Sequence, residues 1–188
     1  MLKINEIFTS IQGEGYHVGR PATFIRLAGC NCRCEWCDTE FLRSTEMNDD
    51  EIITQISRHR LVIFTGGEPL LQLKELIPLI EKLKKKKHSI AVETNGTILC
   101  DFGIFDWVTM SPKDRVKGGA QHRLLFCDEL KIIYEGQDLN IYNDIHATHY
   151  FLQPQHNNKE SLNLCINKIL EDPRWRLSLQ IHKMIGVR

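Results

Sequence analysis

Four of the seven cysteines crowd into one short stretch, at Cys30, Cys32, Cys34 and Cys37. They are too close together for a spread-out disulfide framework, and in a reducing compartment such clustering points to metal ligation. Two triplets are available: Cys30, Cys34 and Cys37 with the spacing Cys-x3-Cys-x2-Cys, or Cys32, Cys34 and Cys37 with a tighter one. Three thiolates on a tight loop can hold three irons of an iron–sulfur cube, which leaves the last iron open to a chelating substrate, much as catalytic metal sites keep a vacant position. A structural zinc is the alternative, but it wants a fourth Cys or His arranged in two ligand pairs, and no second Cys-x2-Cys occurs in the chain. Cys100, Cys127 and Cys165 stand apart and are expected to be buried as small hydrophobes, Cys165 on the apolar helix face Leu162, Cys165, Ile166 and Ile169.

The elements that must position this loop can be read from periodicity. β-rich runs recur at Ala22 to Ala28, Leu61 to Phe64, Ser89 to Val92, Asp106 to Met110, Glu129 to Tyr134, Tyr150 to Leu152 and Arg176 to Ile181. Helical patterns lie between them at Asp49 to Arg58, at Leu73 to Leu83 with Pro78 inside as a possible kink, and at Lys159 to Leu170. Strands alternating with helices predict an α/β fold with a parallel sheet whose chemistry sits at the carboxyl ends of strands. Helical signal is thin after Thr97, so a partial, open TIM-like barrel with reduced helix content fits better than a closed eightfold one. The Cys loop follows one strand. Thr65-Gly66-Gly67-Glu68-Pro69 follows the next, with glycines that let backbone approach a ligand. Glu93-Thr94-Asn95-Gly96-Thr97 and Ser111-Pro112-Lys113 follow two more.

At 188 residues the chain is long enough for one well-buried core and is expected to form one domain, 1–188. Lys and Arg balance Asp and Glu at 24 each, so no global field recruits nucleic acid or an acidic membrane, and a small molecule is the default partner. The longest apolar runs fall far short of a membrane span, and the polar start Met1 to Glu6 is no secretory signal; a cytoplasmic protein is expected.

The pattern Cys-x3-Cys-x-aromatic-Cys, with Trp36 at the aromatic position, resembles the signature of the radical S-adenosylmethionine (SAM) superfamily, and its spacing selects Cys30, Cys34 and Cys37 as ligands of a [4Fe-4S] cluster. Thr65 to Pro69 resembles the superfamily's GGEP motif, which meets the methionine amino group. Within the superfamily, nearly the whole chain is similar to the 7-carboxy-7-deazaguanine synthase family: Ile4 to Phe8, Ile11-Gln12-Gly13-Glu14-Gly15, Gly19 to Leu27, the cysteine loop, Cys37-Asp38-Thr39 and the closing Gln180-Ile181-His182-Lys183.

That resemblance implies a radical SAM fold and a set of residue roles. Trp36, Cys37, Asp38, Gly67, Ser111, Pro112, Lys113 and Gln153 would contact SAM. Ile11, Gln12, Gly13, Arg26, Thr65 and His182 would line the pterin pocket, the arginine fork suiting a carboxylate. The Thr39 hydroxyl would contact Mg²⁺, which takes hard oxygen ligands. The implied reaction begins with one-electron cleavage of SAM, fed by an external flavodoxin- or ferredoxin-like donor. A hydrogen is then abstracted from 6-carboxy-5,6,7,8-tetrahydropterin, the ring contracts, the hydrogen returns to regenerate SAM and ammonia is lost, giving 7-carboxy-7-deazaguanine for queuosine and related 7-deazapurines. A homodimer is the implied assembly. The tail Met184 to Arg188 departs from relatives that end in a proline touching the pterin. Two other classes share some of these features: a glycyl-radical-enzyme activating protein, which would lack the Gln-Gly-Glu-Gly, Cys-Asp-Thr and Gln-x-His-Lys segments found here, and a zinc-stabilised binding module.

Overall fold

The computed structural model describes residues 1–35, 37 and 39–188. One open sheet of nine strands runs through it, in the order β3-β1-β2-β4-β5-β6-β7-β8-β9. The strands are β1 (Leu2–Ile11), β2 (Pro21–Leu27), β3 (Thr45–Met47), β4 (Leu61–Gly66), β5 (Ser89–Thr94), β6 (Trp107–Met110), β7 (Phe126–Ile133), β8 (His146–Gln153) and β9 (Trp175–Leu177). From β2 to β9 every neighbouring pair is parallel, whereas β1 runs antiparallel to β2 and to β3. The partial barrel with few helices is therefore present, and its two ends do not meet.

Side-chain alternation along the strands divides the core in two. Ile25 and Leu27, Val62 and Phe64, Ile90 and Val92, Val108 and Met110, and Leu130 and Ile132 point to the convex face. There they pack under helix α2 (Leu73–Lys85), which buries Leu76, Leu79, Ile80 and Leu83, and helix α3 (Lys159–Glu171), which buries Cys165. Helix α1 (Asp49–Gln55) begins with a reciprocal capping box, Glu51 N donating to Asn48 Oδ1 at 3.0 Å and Asn48 N to Glu51 Oε2 at 2.7 Å, and ends three residues before the expected Arg58. Helix α2 continues through Pro78, which sits on its exposed side where water can take the carbonyl left without a donor.

The concave face changes character along its length. Its amino half is apolar, with Ala22, Phe24, Leu61, Ile63 and Ala91 packed against Phe8 and Trp107. One step further toward the carboxyl ends the same alternation brings up Arg26, Thr65, Glu93, Thr109, Lys131 and Gln153, all lining a cavity.

Three sequence expectations change. β1 and the short β3 are absent from the predicted strands because their half-exposed, mixed sequences carry weak alternation. The run expected as a strand from Arg176 to Ile181 is shorter: β9 stops at Leu177, and helix α4 (Ile181–Met184) forms one turn at the far end of the segment. Cys100 and Cys127 are half-buried against the core rather than enclosed in it, while Cys165 is fully enclosed. Among the described residues no helix is long and apolar enough to cross a membrane.

Candidate active site at the carboxyl ends of the strands

A cavity of about 620 Å³ opens where β2, β4, β5, β6, β7 and β8 end, a size suited to small-molecule ligands. The cysteine loop forms one wall. It turns out of β2 at Gly29, whose φ of +87° lies in the left-handed region and whose N–H donates to Phe41 O at 2.9 Å. The loop after β4 packs against it so closely that only glycine fits. Gly66 has φ +127°, and a Cβ there would fall 2.2 Å from Leu27 O; a Cβ on Gly67 would fall 1.9 Å from Gly29 O. Gly67 N donates to Leu27 O at 3.2 Å and Glu68 N to Gly29 O at 2.9 Å.

Glu68 itself is fully buried and structural. Its carboxylate accepts from Leu70 N (3.0 Å), Thr94 Oγ1 (2.8 Å) and Asn95 N (2.7 Å), tying the ends of β4 and β5 together. Burial pushes its pKa up, against the pull of those donors.

Cys30, Cys34 and Cys37 are unbridged and line the cavity, the first two half-buried and the third exposed. Burial raises the Cys30 and Cys34 thiols, and the nearby Lys113 cation opposes the rise. Three free thiols on one wall are the soft donor set of an iron–sulfur cube, and in donor type they fit it, although among the described residues no three acid, histidine or cysteine groups are already drawn around one ion. Cys32 differs: it is 2 % exposed, Asn95 Nδ2 points at its sulfur from 3.6 Å, and burial pushes its thiol to about 11.

Opposite this wall, Lys113 Nζ donates to both Ser111 O and Ser111 Oγ at 2.7 Å, and burial together with Lys131 lowers its pKa. Gln153 is buried, its Oε1 accepting from Ser178 Oγ at 2.8 Å. Pro112, between Ser111 and Lys113, is buried and does not line the cavity. Trp36 and Asp38 lie outside the described residues.

The remaining wall comes from both ends of the chain. The β1–β2 connection leaves at the amino end of the sheet and folds back into the concave face. There Gln12 Nε2 donates to Glu93 Oε1 at 2.8 Å, and the other oxygen, Glu93 Oε2, accepts from Thr65 Oγ1 at 2.9 Å. Ile181 N donates to Gly13 O at 3.0 Å, and a Cβ on Gly13 would fall 2.0 Å from His182 Nδ1, so His182 seats directly on that glycine. Ile11, Gln12, Gly13, Arg26, Thr39, Thr65, Gly67, Ser111, Lys113, Gln153 and His182 all line the same cavity as the three cysteines. Arg26 Nε pairs with Glu6 Oε1 at 2.8 Å, and its Nη1 donates to Thr39 Oγ1 at 3.2 Å. Arg188 also reaches Glu6 and lies over the Phe8 ring, 4.9 Å from its centroid.

Sequence reasoning did not single out the ionic floor of the cavity. Lys131, 7 % exposed, is ion-paired with Glu14, whose other oxygen accepts from Gln180 Nε2 at 2.7 Å. Burial alone would raise Glu14, but the Lys131 charge and hydrogen bond outweigh it and bring the carboxyl down to about 2. Glu129 accepts from Tyr16 N at 3.0 Å; its pKa is raised by burial and held back by Lys131. The available signal was a lysine inside the apolar run Leu130-Lys131-Ile132-Ile133, where a charge must find a buried partner. Beneath this floor Tyr16 stacks on Trp107 (4.6 Å between centroids) and on His149 (4.5 Å), closing the amino end of the partial barrel with aromatic rings.

Residues 24–114 match the Radical SAM superfamily. The chain is 48% identical over 190 residues to the 7-carboxy-7-deazaguanine synthase of Bacteroides thetaiotaomicron, with 100% of both chains covered. It is 35% identical over 221 residues to the 7-carboxy-7-deazaguanine synthase of Buchnera aphidicola, covering 98% of each. The crystal structure of QueE from Escherichia coli shares the fold with a TM-score of 0.77 at 30% identity, over 95% of this chain and 93% of that one. With its cysteine loop, glycine cradle and polar concave face in one cavity, the chain belongs to the 7-carboxy-7-deazaguanine synthase family of radical SAM enzymes.

Proposed function

We propose that the cavity converts 6-carboxy-5,6,7,8-tetrahydropterin to 7-carboxy-7-deazaguanine, by ring contraction with loss of ammonia. The observation that carries this reading is that one cavity holds three cluster-type thiols, an arginine fork and a wall of paired amide and carboxylate groups. Bound on the cysteine loop, the [4Fe-4S] cluster and SAM would supply the radical that starts the reaction.

Cys30, Cys34 and Cys37 would hold the cluster. The glycine pair Gly66 and Gly67 lets the loop after β4 lie directly on the cysteine loop, and Ser111, Lys113 and Gln153 would present polar groups for SAM. Gln12, Thr65 and Glu93 form a preassembled hydrogen-bonding edge suited to the amide and amine groups of a pterin ring. Arg26 has two of its five donors committed, to Glu6 and Thr39, and the rest can meet a carboxylate. His182, seated on Gly13, would close over the ring.

Thr39 is the proposed Mg²⁺ contact. Its hydroxyl oxygen has two lone pairs, and Arg26 occupies one, so one remains for a hard cation. The other ligands of such an ion would come from the substrate carboxylate and water. A homodimer in the cytoplasm, reduced by a flavodoxin- or ferredoxin-like donor, completes the reading.

The deciding experiment reconstitutes the protein anaerobically with iron and sulfide, adds dithionite, SAM, Mg²⁺ and the carboxytetrahydropterin, and follows 7-carboxy-7-deazaguanine by mass spectrometry. Product is expected; an intact cluster that cleaves SAM and yields none would overturn the assignment.

A further inference from the structure

One buried histidine lies outside the cavity and has no part in the chemistry above. The connection from β6 to β7 runs through residues 111–125 without a helix, and His122 lies near its end with only 6% of its side chain exposed. Both ring nitrogens face carboxylates: Nδ1 is 2.8 Å from Asp114 Oδ1, and Nε2 is 3.2 Å from Asp144 Oδ1. His122 N donates to the same Asp114 Oδ1 at 3.1 Å, so ring and backbone grip one oxygen. The other, Asp114 Oδ2, is buried and has no hydrogen-bond partner among the described residues. A carboxylate buried in this way depends on the histidine to offset the loss of water. The imidazole stands between the two carboxylates, so the three groups do not converge on a shared ion; they form a clasp.

Asp114 and His122 are the neck of the loop 114–122, a compact loop whose ends meet. On the way in, Asp114 directly follows Lys113, which lines the cavity, and Gly119 folds back onto it: a Cβ there would fall 1.9 Å from Lys113 O. On the way out, Arg123 N and Leu124 N both donate to Gly96 O, at 2.8 and 3.0 Å, tying the return to the turn after β5. The tip rests on the cysteine loop. Arg33 N donates to Gly118 O at 2.6 Å and Glu35 N to Lys117 O at 3.2 Å. Gly118 has φ +79°, and a Cβ on it would fall 2.0 Å from Arg33 O, so the two segments are fitted to each other. The loop thus joins two walls of the cavity, and its neck is where the clasp closes it.

We propose that His122 is a positioning residue for SAM binding: held between Asp114 and Asp144, it keeps the loop 114–122 closed, and the closed loop sets Lys113 and the cysteine loop at the spacing that SAM and the cluster require. The proposal rests on the reading above in placing both groups between those walls. With one ring proton the imidazole donates to one carboxylate and with two it donates to both, so the neck is held in either form. Asp144 lies just before β8, which fixes the neck to a second strand end as well. Small displacements of groups that bind a reactant are costly, so a clasp remote from the chemistry can still govern it.

The test measures SAM binding to the reconstituted, dithionite-reduced protein by electron paramagnetic resonance titration, together with amide hydrogen exchange in residues 31–35 and 114–122. In His122→Ala exchange is expected to rise in both segments, and SAM affinity to fall by about tenfold, the scale of one hydrogen bond lost to a charged group. His122→Asn, whose amide can still donate to Asp114, should restore most of both. Where His122→Ala retains no cluster, Asp144→Ala takes its place: that side chain is 57% exposed, so the fold tolerates its loss, and smaller changes in the same direction are expected. Faster exchange confined to 114–122, with SAM affinity unchanged, reduces the clasp to the closure of its own loop and overturns the proposal, as do unchanged values throughout. A wild type that binds SAM and shows these protections yet forms no 7-carboxy-7-deazaguanine would instead overturn the catalytic reading and leave the positioning result standing.

Discussion

Lys131 and Glu14 are 117 residues apart in sequence and form one buried ion pair, with Glu129 near the same cation. Removing the cation leaves charge with nothing to offset it, so Lys131→Met should destabilise the fold by about 3–5 kcal/mol in urea unfolding, and adding Glu14→Gln should recover much of the loss. Glu14 also predicts a pH dependence. Its folded pKa, about 2, lies below the ordinary 4.5, so its contribution is complete above about pH 4.5 and is lost as pH falls toward 2. A shift of that size corresponds to about 3 kcal/mol. The buried Glu129, with its raised pKa, acts in the opposite sense, losing its contribution as pH rises. Comparing wild type with Glu14→Gln isolates the first effect: the variant should show a flatter stability profile between pH 5 and pH 3. At the cysteines, Cys34→Ala should abolish iron retention and absorbance, whereas Cys32→Ala should keep both; the reverse would mean that Cys32 is a ligand. The gathering of Cys30, Cys34 and Cys37 on one cavity wall was legible because one local loop carries them. The ionic floor was not, since its members meet only when β5, β7 and the segment after β1 share a face.

Among the elements, the loop after β4 shows how a motif known for binding also builds the sheet. Its glutamate takes three donors from two strand ends, so Glu68→Ala would strand Leu70 N, Thr94 Oγ1 and Asn95 N in a dry site. A drop in melting temperature matching about 3 kcal/mol or more is expected, measured by calorimetry on the cluster-free chain. Gly66→Ala should be as damaging for another reason: its φ of +127° and the Leu27 carbonyl 2.2 Å from a new Cβ leave no relaxed conformation. The central parallel strands were legible from their apolar runs, because strands buried on both faces read as continuous hydrophobic stretches. β1 was not legible, since one of its edges pairs with β2 while the other carries only the three-residue β3, and its residues remain largely half-exposed. The segment 176–181 misled for a related reason: its alternation is real, but Ser178 and Gln180 turn inward to hydrogen-bond Gln153 and Glu14 instead of extending a ladder.

At the scale of the molecule, an open sheet holds a cavity closed at one end by the rings of Tyr16, Trp107 and His149. Trp107→Ala should unstopper that end and raise amide hydrogen exchange in residues 12–16, read by mass spectrometry; unchanged exchange would mean that the rings are ornamental to the floor. The partial barrel was foreseen from the scarcity of helix after Thr97, but the closure was not, because the ring that plugs it comes from a loop and not from a strand. The two ends of the chain meet at this cavity, Ile181 N on Gly13 O and Gln180 on Glu14. Synthesis runs from one to the other, so the cysteine loop and its glycine cradle leave the ribosome more than a hundred residues before His182. A growing chain thus exposes the cysteine loop while the wall that seats His182 on Gly13 does not yet exist, so the cavity is closed on that side by the last part of the chain to be made.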